Sequence, residues 1–556
     1  MTNAAAAVIL LALVVAKTST FPTAAAFVTP AQRGSNRATY AGGAIASTQV
    51  QAHDHPLPPK DETFNPIATV REVLAAPGLP EDVNRFDGVG GLTGGIWRSR
   101  VMGIVPATVV AAQLSTKWMA TEEAAGNIYH TWPRSVVEIL AGEKAVTNIG
   151  TQVEQHTVVK RAFNKALSPK ATLKLKPILE SSIQQLVLRW EGFSETGQEL
   201  KMADELEDFT LNAVTLGLFG EYATPKFVQD TKRCLPAVIK GLFSIPYRFP
   251  PPLNRLPMLG FGRSMDARAE FVDVIRDLLR ERRSDMAAGL GTSKYAGILD
   301  AFLDIQKQQE MGLDGESKGS FPYDDDFIVD NVISTLFAGT DTTAVTLTRV
   351  LQLLGTAEDG KEIVDQLVQE LDGAVTVDDD ELDDIVSVPR AGIFGSFPLL
   401  DAIVLESVRL HPTVAGVFRK TRKDMIYNGY LIPEGETIAW SLVQGSAAES
   451  LYPEPKKFCP FRFLHGDKKK DAGNAASASP DVNSPDQPIP PIWGFGRHTC
   501  PGRELAKLEI LLFLKTFLTK FDYEVVKGQS FKGTMPANVP KDKLRVILKA
   551  KAAVAE

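Results

Sequence analysis

A chain of 556 residues, 44% hydrophobic and 23% charged, has an ordinary globular composition with enough apolar material for a large core. Its formal net charge of -7 argues against a nucleic-acid binder, and three cysteines, Cys234, Cys459 and Cys500, are too few for a disulfide framework at this length. Length alone suggests about three or four domains, a rule that large single-domain enzymes routinely exceed, and one catalytic domain is expected.

The amino end stands apart. Residues 1–53 contain no Asp or Glu and carry Lys17, Arg33 and Arg37 among Ala, Ser and Thr, which is a targeting composition. The apolar run Ala4–Ala16 has 13 residues, short of the ~20 needed to span a bilayer and right for a signal-peptide core. Small residues at 23–26 precede Phe27, so 1–26 reads as a signal-peptide-like segment, 27–53 as a transit-peptide-like one and 54–556 as the catalytic domain. The arrangement resembles the bipartite plastid presequences of algae with secondary plastids, which implies a plastid address. Use of a slightly extended apolar segment as an endoplasmic-reticulum membrane anchor is the alternative. Pro56, Pro58 and Pro59 then form a stiff hinge where the catalytic domain begins.

Residues 94–103 and 107–111 read as a short strand pair, and Trp132 to Gly142 as a Pro-started turn and helix. His156 and Lys160 lie one helical turn apart and can address one anionic object, or form a charged solvent face. A helix around Val228–Lys240 leads into Gly241-Leu242-Phe243 and on to Pro250. Asp324, Asp325 and Asp326 offer an N-cap and favourable charge for a long helix with Ile328, Val332 and Leu336 spaced four apart. Its middle, Ala338-Gly339-Thr340-Asp341-Thr342-Thr343, is a poor helix former, since Gly alone costs about 1 kcal/mol relative to Ala. That weakness serves either a site or a packing kink.

Beyond a Gly/Asp-rich connection at 371–384, Leu399–Leu410 reads as a helix with Glu406 and Arg409 on one face. Pro412 to Arg419, including Val414 and Val417, reads as a strand, and 428–435 as a turn between strands. Residues 466–491 form a Lys-, Ser-, Asp- and Pro-rich surface insertion, read as a redox-partner contact or as disordered decoration. The stretch Trp493-Gly494-Phe495-Gly496-Arg497-His498-Thr499-Cys500-Pro501-Gly502 reads as a cradle for one thiolate, with glycines permitting a tight turn and inward amide N–H groups stabilising negative sulfur. Thiolate ligation of haem iron suits such a loop. A Gly-rich turn around a passive cysteine is the plain alternative. Glu504–Phe517 follows as a helix, and residues 532–536, with Met535, as a final turn.

Taken in order, Ala338-Gly339-x-Asp341-Thr342-Thr343, Glu406-x-x-Arg409, Phe458-x-Pro460-x-Arg462-Phe463 and the Cys500 loop resemble the signatures of the cytochrome P-450 family, and broader similarity runs from about 60 to 549. The haem loop of that family is written Phe-x-x-Gly-x-Arg-x-Cys-x-Gly, so Trp493 stands for Phe and His498 for Arg, while Gly496 and Gly502 match. The resemblance implies a mainly α fold with a small β-rich subdomain, heme b (iron-protoporphyrin IX) with Cys500 as its axial thiolate, and insertion of one atom of O₂ into an organic substrate. It further implies that Asp341 and Thr342 relay protons while small residues leave room for dioxygen. His156, Lys160, His498 and Arg419 would bind the haem propionates. Glu406, Arg409 and Arg462 would form a structural charge network, and Trp132, Phe243, Ala338, Val414, Val417 and Met535 would line the substrate pocket. The segments 132–142 and 241–250 are similar to the retinoic-acid hydroxylase branch and its cyanobacterial relatives, which implies an apolar isoprenoid substrate: a carotenoid, retinoid, sterol or terpenoid. With no flavin or nicotinamide domain in the sequence, electrons are expected from ferredoxin or a flavoprotein reductase, with peripheral membrane association. Two alternatives stand beside this reading: a hydroperoxide isomerase or dehydratase of the same family, against which the Asp341-Thr342 pair speaks, and a non-catalytic haem- or isoprenoid-binding protein.

Overall fold

Strand pairing begins the described chain: β1 (Ile96–Val101) and β2 (Val105–Ala111) form a hairpin whose register sets Ile96 opposite Val110. The computed structural model describes residues 96–101, 105–132, 136–149, 153–242, 260–290, 297–311, 321–373, 397–443, 445–449, 451–464, 489–534 and 538–551. The presequence, the proline hinge, Phe243, Met535 and most of the 466–491 insertion lie outside these residues.

After the hairpin come α1 (Ala112–Ala124), β3 (Ile128–Thr131) and a single π-helical turn at Val137–Ala141, in place of the ordinary helix expected there. A run of helices follows: α2 (Val153–Ala166), α3 (Pro169–Leu173), α4 (Lys176–Thr196), then β4 (Leu200–Lys201), α5 (Met202–Phe219), α6 (Pro225–Ile239), α7 (Phe261–Ala287) and α8 (Ile298–Glu310). The long helix is α9 (Asp325–Thr356), followed by α10 (Gly360–Gly373) and α11 (Pro398–Leu410). Four strands follow: β5 (Gly416–Thr421), β6 (Met425–Tyr427), β7 (Tyr430–Ile432) and β8 (Thr437–Ser441). The chain ends with α12 (Arg503–Lys520), β9 (Phe521–Val525), β10 (Gly533–Thr534), β11 (Val539–Pro540) and β12 (Arg545–Ala550). The expected turn at 428–435 is two turns around the short strand β7: Asn428 and Gly429, with φ of 49° and 79°, make the tight hairpin turn, and a second turn follows at 433–436, with Gly435 at φ 74°.

The mainly α architecture with a small β-rich part is the one expected. One sheet has the strand order β1-β2-β8-β5-β3, with β2 and β8 parallel and the other neighbours antiparallel, and a smaller sheet has the order β4-β12-β9. In β3 the residues Ile128 and His130 point inward and Tyr129 and Thr131 outward, so a histidine is carried into the interior by strand periodicity alone. Under the large sheet a second apolar cluster joins Ile96, Val110, Ile438 and Trp440 to Phe495 of the cysteine loop, whose ring meets Trp440 edge-on at 4.9 Å. The sheet therefore buttresses the loop that carries Cys500.

The main core is organised on α9. Asp324 caps it, accepting from Phe327 N at 3.0 Å, and Phe327, Ile328, Val332, Leu336, Leu347 and Leu351 are wholly buried. Each such side chain contributes about 1.5–3 kcal/mol of transfer free energy, far more than the propensity deficit at Gly339. The middle of α9 presses against α5. A Cβ placed on Gly339 would lie 2.7 Å from Val214, and Thr210 Oγ1 donates to Thr340 O at 3.0 Å. Gly339 thus permits close helix packing and does not open space for dioxygen, as had been expected of the small residues.

The segment 142–149 is fastened to the first half of α9. Lys144 N donates to Asp330 Oδ2 at 3.2 Å, Val146 N donates to Asn331 Oδ1 at 2.8 Å, and Arg268 of α7 reaches Asp330 Oδ1 at 2.6 Å. Gly142, at φ +69°, is the close-approach point: an added Cβ would stand 2.0 Å from the Asp330 carboxylate. Gly126, at φ +73°, has nothing within 4 Å. Gly126→Ala should therefore cost only the left-handed backbone penalty, about 1–2 kcal/mol, whereas Gly142→Ala adds a steric clash and should cost about 3 kcal/mol or more. Urea unfolding midpoints of the two variants measure the difference.

Candidate active site

The loop before α12 bends at two glycines in the left-handed region, Gly494 (φ +73°) and Gly496 (φ +57°), and closes through Cys500 N donating to Trp493 O at 2.8 Å. The sequence suggested Gly502 as one of the two turn glycines flanking the cysteine; its φ of -86° is ordinary and nothing lies within 4 Å of a Cβ there. Its contribution is the backbone N–H, which bonds to the Cys500 sulfur. The Cys500 side chain is exposed, yet the sulfur has enough protein around it that desolvation pushes the thiol up, opposed by the Gly502 N–H, Lys160 and Arg503. Trp493 does set an aromatic ring in this loop, but its buried Nε1 bonds to no acceptor, sulfur included.

Lys160 and His156 do not converge on one spot. Lys160 Nζ donates to the carbonyl of Thr499, beside the cysteine, where burial lowers its pKa and the Cys500 thiolate opposes that shift. His156 instead joins His498 and His130: ring centroids are 4.5 Å apart for His156 and His498 and 4.7 Å for His130 and His498, the latter pair stacked. Burial, followed by neighbouring positive charge, lowers His156 to about 4 and His130 to about 3, and His498 lies lower still. All three imidazoles are therefore neutral near pH 7, so the position expected to hold a charged propionate grip holds an uncharged ring.

The cation of this cluster is Arg419, expected at a propionate. It is 1% exposed, its Nε donates to Glu123 Oε1 at 2.9 Å, and one Nη1 N–H goes to Phe418 O at 3.1 Å. Its Nη2 donates to no described residue, and Trp132 Nε1 is also buried without a partner. Trp132 meets His130 at 5.5 Å and Phe418 at 6.1 Å, so it belongs to the same neighbourhood. An exposed thiol together with the buried, unpaired Trp132 Nε1 and the unused Nη2 of Arg419 fits a haem whose iron takes the sulfur and whose carboxylates take the donors. Val417 packs instead on the cluster beneath the sheet, while Val414 and Ala338 are exposed.

In α9, Thr342 Oγ1 donates to Ala338 O at 2.7 Å. A hydroxyl that spends its proton this way presents lone pairs outward. Asp341 is raised to about 7, chiefly by burial and then by Glu207 of α5, with Lys543 opposing. Lys543 Nζ lies 3.2 Å from Asp204 and 3.6 Å from Glu207, and its backbone, with that of Leu544, adopts positive φ (61° and 51°). Glu509 of α12, wholly buried, is pushed up to about 8 by burial and bonds to Thr343 of α9. Sequence reading missed Glu123, His130, Glu207, Glu509 and Lys543. Of these only His130 carried a signal, an inward position on an alternating strand.

Glu406, Arg409 and Arg462 meet in one buried network. Arg409 grips Glu406 through two bonds of 2.7 and 2.8 Å, Arg462 Nε adds a third at 3.0 Å, and Cys459 N a fourth at 3.0 Å. The remaining guanidinium donors reach carbonyls of Ser446, Pro455 and Pro453. This pins α11 to the chain that leads to the cysteine loop.

The sequence profile described as "Cytochrome P450" matches residues 88–550. Abscisic acid 8'-hydroxylase 1 of Arabidopsis thaliana is 25% identical over 460 residues, covering 82% of this chain and 84% of its own. Taxoid 14-beta-hydroxylase of Taxus cuspidata is 26% identical over 436 residues, covering 77% of this chain and 75% of its own. Among solved structures, the retinoic acid bound cyanobacterial CYP120A1 matches with a TM-score of 0.66 and 23% identity, over 89% of this chain and 100% of its own.

The Asp341 carboxyl has a direct consequence for stability. Its folded value of about 7 lies above the ordinary 3.8, so between those limits the folded chain holds a proton that the unfolded chain has released, and stability falls as pH rises through the window. Asp341→Asn keeps the neutral form at every pH. The melting temperature of Asp341→Asn relative to the unsubstituted protein should therefore climb from about pH 4 to about pH 7 and level off above, as calorimetry across that range will show.

Proposed function

Because the chain belongs to the cytochrome P450 family, and so is a haem-thiolate oxidoreductase of the monooxygenase class, we propose that Cys500 is its axial ligand and that it hydroxylates an apolar isoprenoid with electrons from a separate protein. The observation that carries the assignment is the Cys500 sulfur, exposed in a closed loop, bonded by the Gly502 N–H and flanked by the Lys160 and Arg503 cations.

When bound, the haem supplies the chemistry by which one atom of O₂ enters the substrate. The chain supplies charge, protons and placement. Gly502 N–H and the two neighbouring cations oppose the upward push of burial on the Cys500 thiol. Arg419, with its unused Nη2, and Trp132 Nε1 would hold the propionate edge, beside the neutral rings of His156, His130 and His498. Asp341, balanced near pH 7, can take a proton from the Glu207 and Lys543 side and release it toward the Thr342 hydroxyl at little cost. The acceptor face of Thr342, left open by its bond to Ala338 O, orients the donor that receives it.

The substrate class is supported by the names of the relatives, which act on abscisic acid or taxoids, and by the retinoic acid bound to the structural neighbour; all are isoprenoids. Open apolar positions at Ala338 and Val414 suit such a ligand. Ferredoxin is the donor that agrees with a plastid address, which rests on residues 1–53 alone.

Two measurements test this reading. The reduced, CO-bound protein lacking residues 1–53 should show a strongly red-shifted Soret band that Cys500→Ser abolishes, and apolar isoprenoids should displace the Soret maximum of the ferric form. Haem loading without that band removes the thiolate assignment, and binding without reductant-dependent O₂ uptake favours a non-catalytic carrier. Separately, residues 1–53 fused to a fluorescent reporter should direct it into the plastid of an alga with secondary plastids; reticular labelling supports the endoplasmic-reticulum alternative.

A further inference from the structure

The carboxyl end of α1 holds an acid for which the signatures and the proposed chemistry give no use. Glu123 is 7% exposed. Its Oε1 accepts from Arg419 Nε at 2.9 Å and stands 3.4 Å from His498 Nε2, while Oε2 is buried with no hydrogen-bond partner. A Cβ at Gly496 would lie 3.2 Å from Oε2, so the cysteine loop closes over this carboxylate. A cavity of about 40 Å³ adjoins it, bounded by His156, Tyr129, Arg422 and Arg497.

Two facts make Glu123 more than packing. Arg419 is buried and contacts no other carboxylate among the described residues, and a buried cation without a counter-charge is strongly disfavoured. Holding the guanidinium at Nε fixes its plane, and Nη2 together with one Nη1 N–H donates to no described residue. We propose that Glu123 is a positioning residue for the cofactor: it supplies the fixed counter-charge of Arg419 and aims the free Nη edge of that arginine at the haem propionates. The inference rests on the assignment of Arg419 to the propionate edge. Burial pushes the Glu123 carboxyl up and the Arg419 guanidinium down, and the contact between them opposes both shifts, with Arg497 adding to that opposition at Glu123. Loss of Glu123 therefore leaves the Arg419 cation without its buried counter-charge and frees its aim.

The full haem-loaded chain and its Glu123→Gln, Glu123→Asp and Arg419→Gln variants provide the test, with two readouts: the rate of haem transfer to excess apomyoglobin and the reduction potential. Glu123→Gln removes one buried negative charge and should move the potential positive, because the reduced haem carries more negative charge. It should also speed haem loss about tenfold, as expected for weakening one charge-assisted bond. Glu123→Asp keeps the charge but withdraws it by one methylene, so it should speed haem loss while holding the potential near that of the unsubstituted protein. A packing role alone would alter haem loss in both variants and leave the potential still. Unchanged potential in Glu123→Gln overturns the proposal, and if that variant does not accumulate, an unchanged haem-loss rate in Glu123→Asp overturns it instead. If Arg419→Gln also releases haem at the ordinary rate, the propionate assignment itself fails; if it releases haem faster while the Glu123 variants do not, only the role of Glu123 falls.

Discussion

Glu406 is a wholly buried carboxylate that holds two guanidinium groups, and the joining of α11 to the chain at 446–463 depends on it. Its oxygens take bonds from Arg409, Arg462 and the Cys459 N–H, all at 2.7–3.0 Å. A buried ion cluster of this kind gains little over an apolar core of the same shape, but removing one member leaves charges stranded at a cost of about 3–5 kcal/mol. Its value is geometric. These donors tie α11 to the chain at 446–463, fixing the two against each other.

A different compromise governs α9. Its ends are ordinary: an aspartate cap and rows of apolar side chains in a continuous core. Its middle trades helical propensity for contact. Gly339 lets α5 approach, the hydroxyls of Thr340, Thr342 and Thr346 each donate back four residues, and the Thr340 carbonyl takes a further bond from Thr210. Such back-bonding weakens a helix slightly, and tertiary packing offsets it. The result is a helix that is buried on most sides yet exposes Ala338 one turn from Thr342. It also carries Asp341 in surroundings that keep its proton exchangeable near neutrality.

Charge is handled differently at the cofactor edge. Three imidazoles pack against one another and stay uncharged because desolvation outweighs every other influence on them. The most deeply buried cation there is Arg419, which pairs with Glu123, while Lys160 and Arg497 also act on His156. Where the family signature has an arginine, His498 thus contributes a ring rather than a cation, and the unused donors beside it are those of Arg419 and Trp132 Nε1.

By itself the sequence determined the elements and motifs whose information is local. The cap and apolar period of α9, the Glu406–Arg409 spacing, the strand pair at the start and the glycine-bounded cysteine loop are each set by residues a few positions apart, and backbone geometry converts those spacings into faces and turns. Tertiary structure alone decided which distant groups share a site. That Lys160 reaches the Thr499 carbonyl, that Gly339 serves α5, that His156 and His498 join a histidine from β3, and that Arg419 answers to an acid almost 300 residues earlier (|i−j| = 296) follow from packing between elements. No local pattern encodes those partners, and their protonation depends on burial, which exists only once the chain has folded.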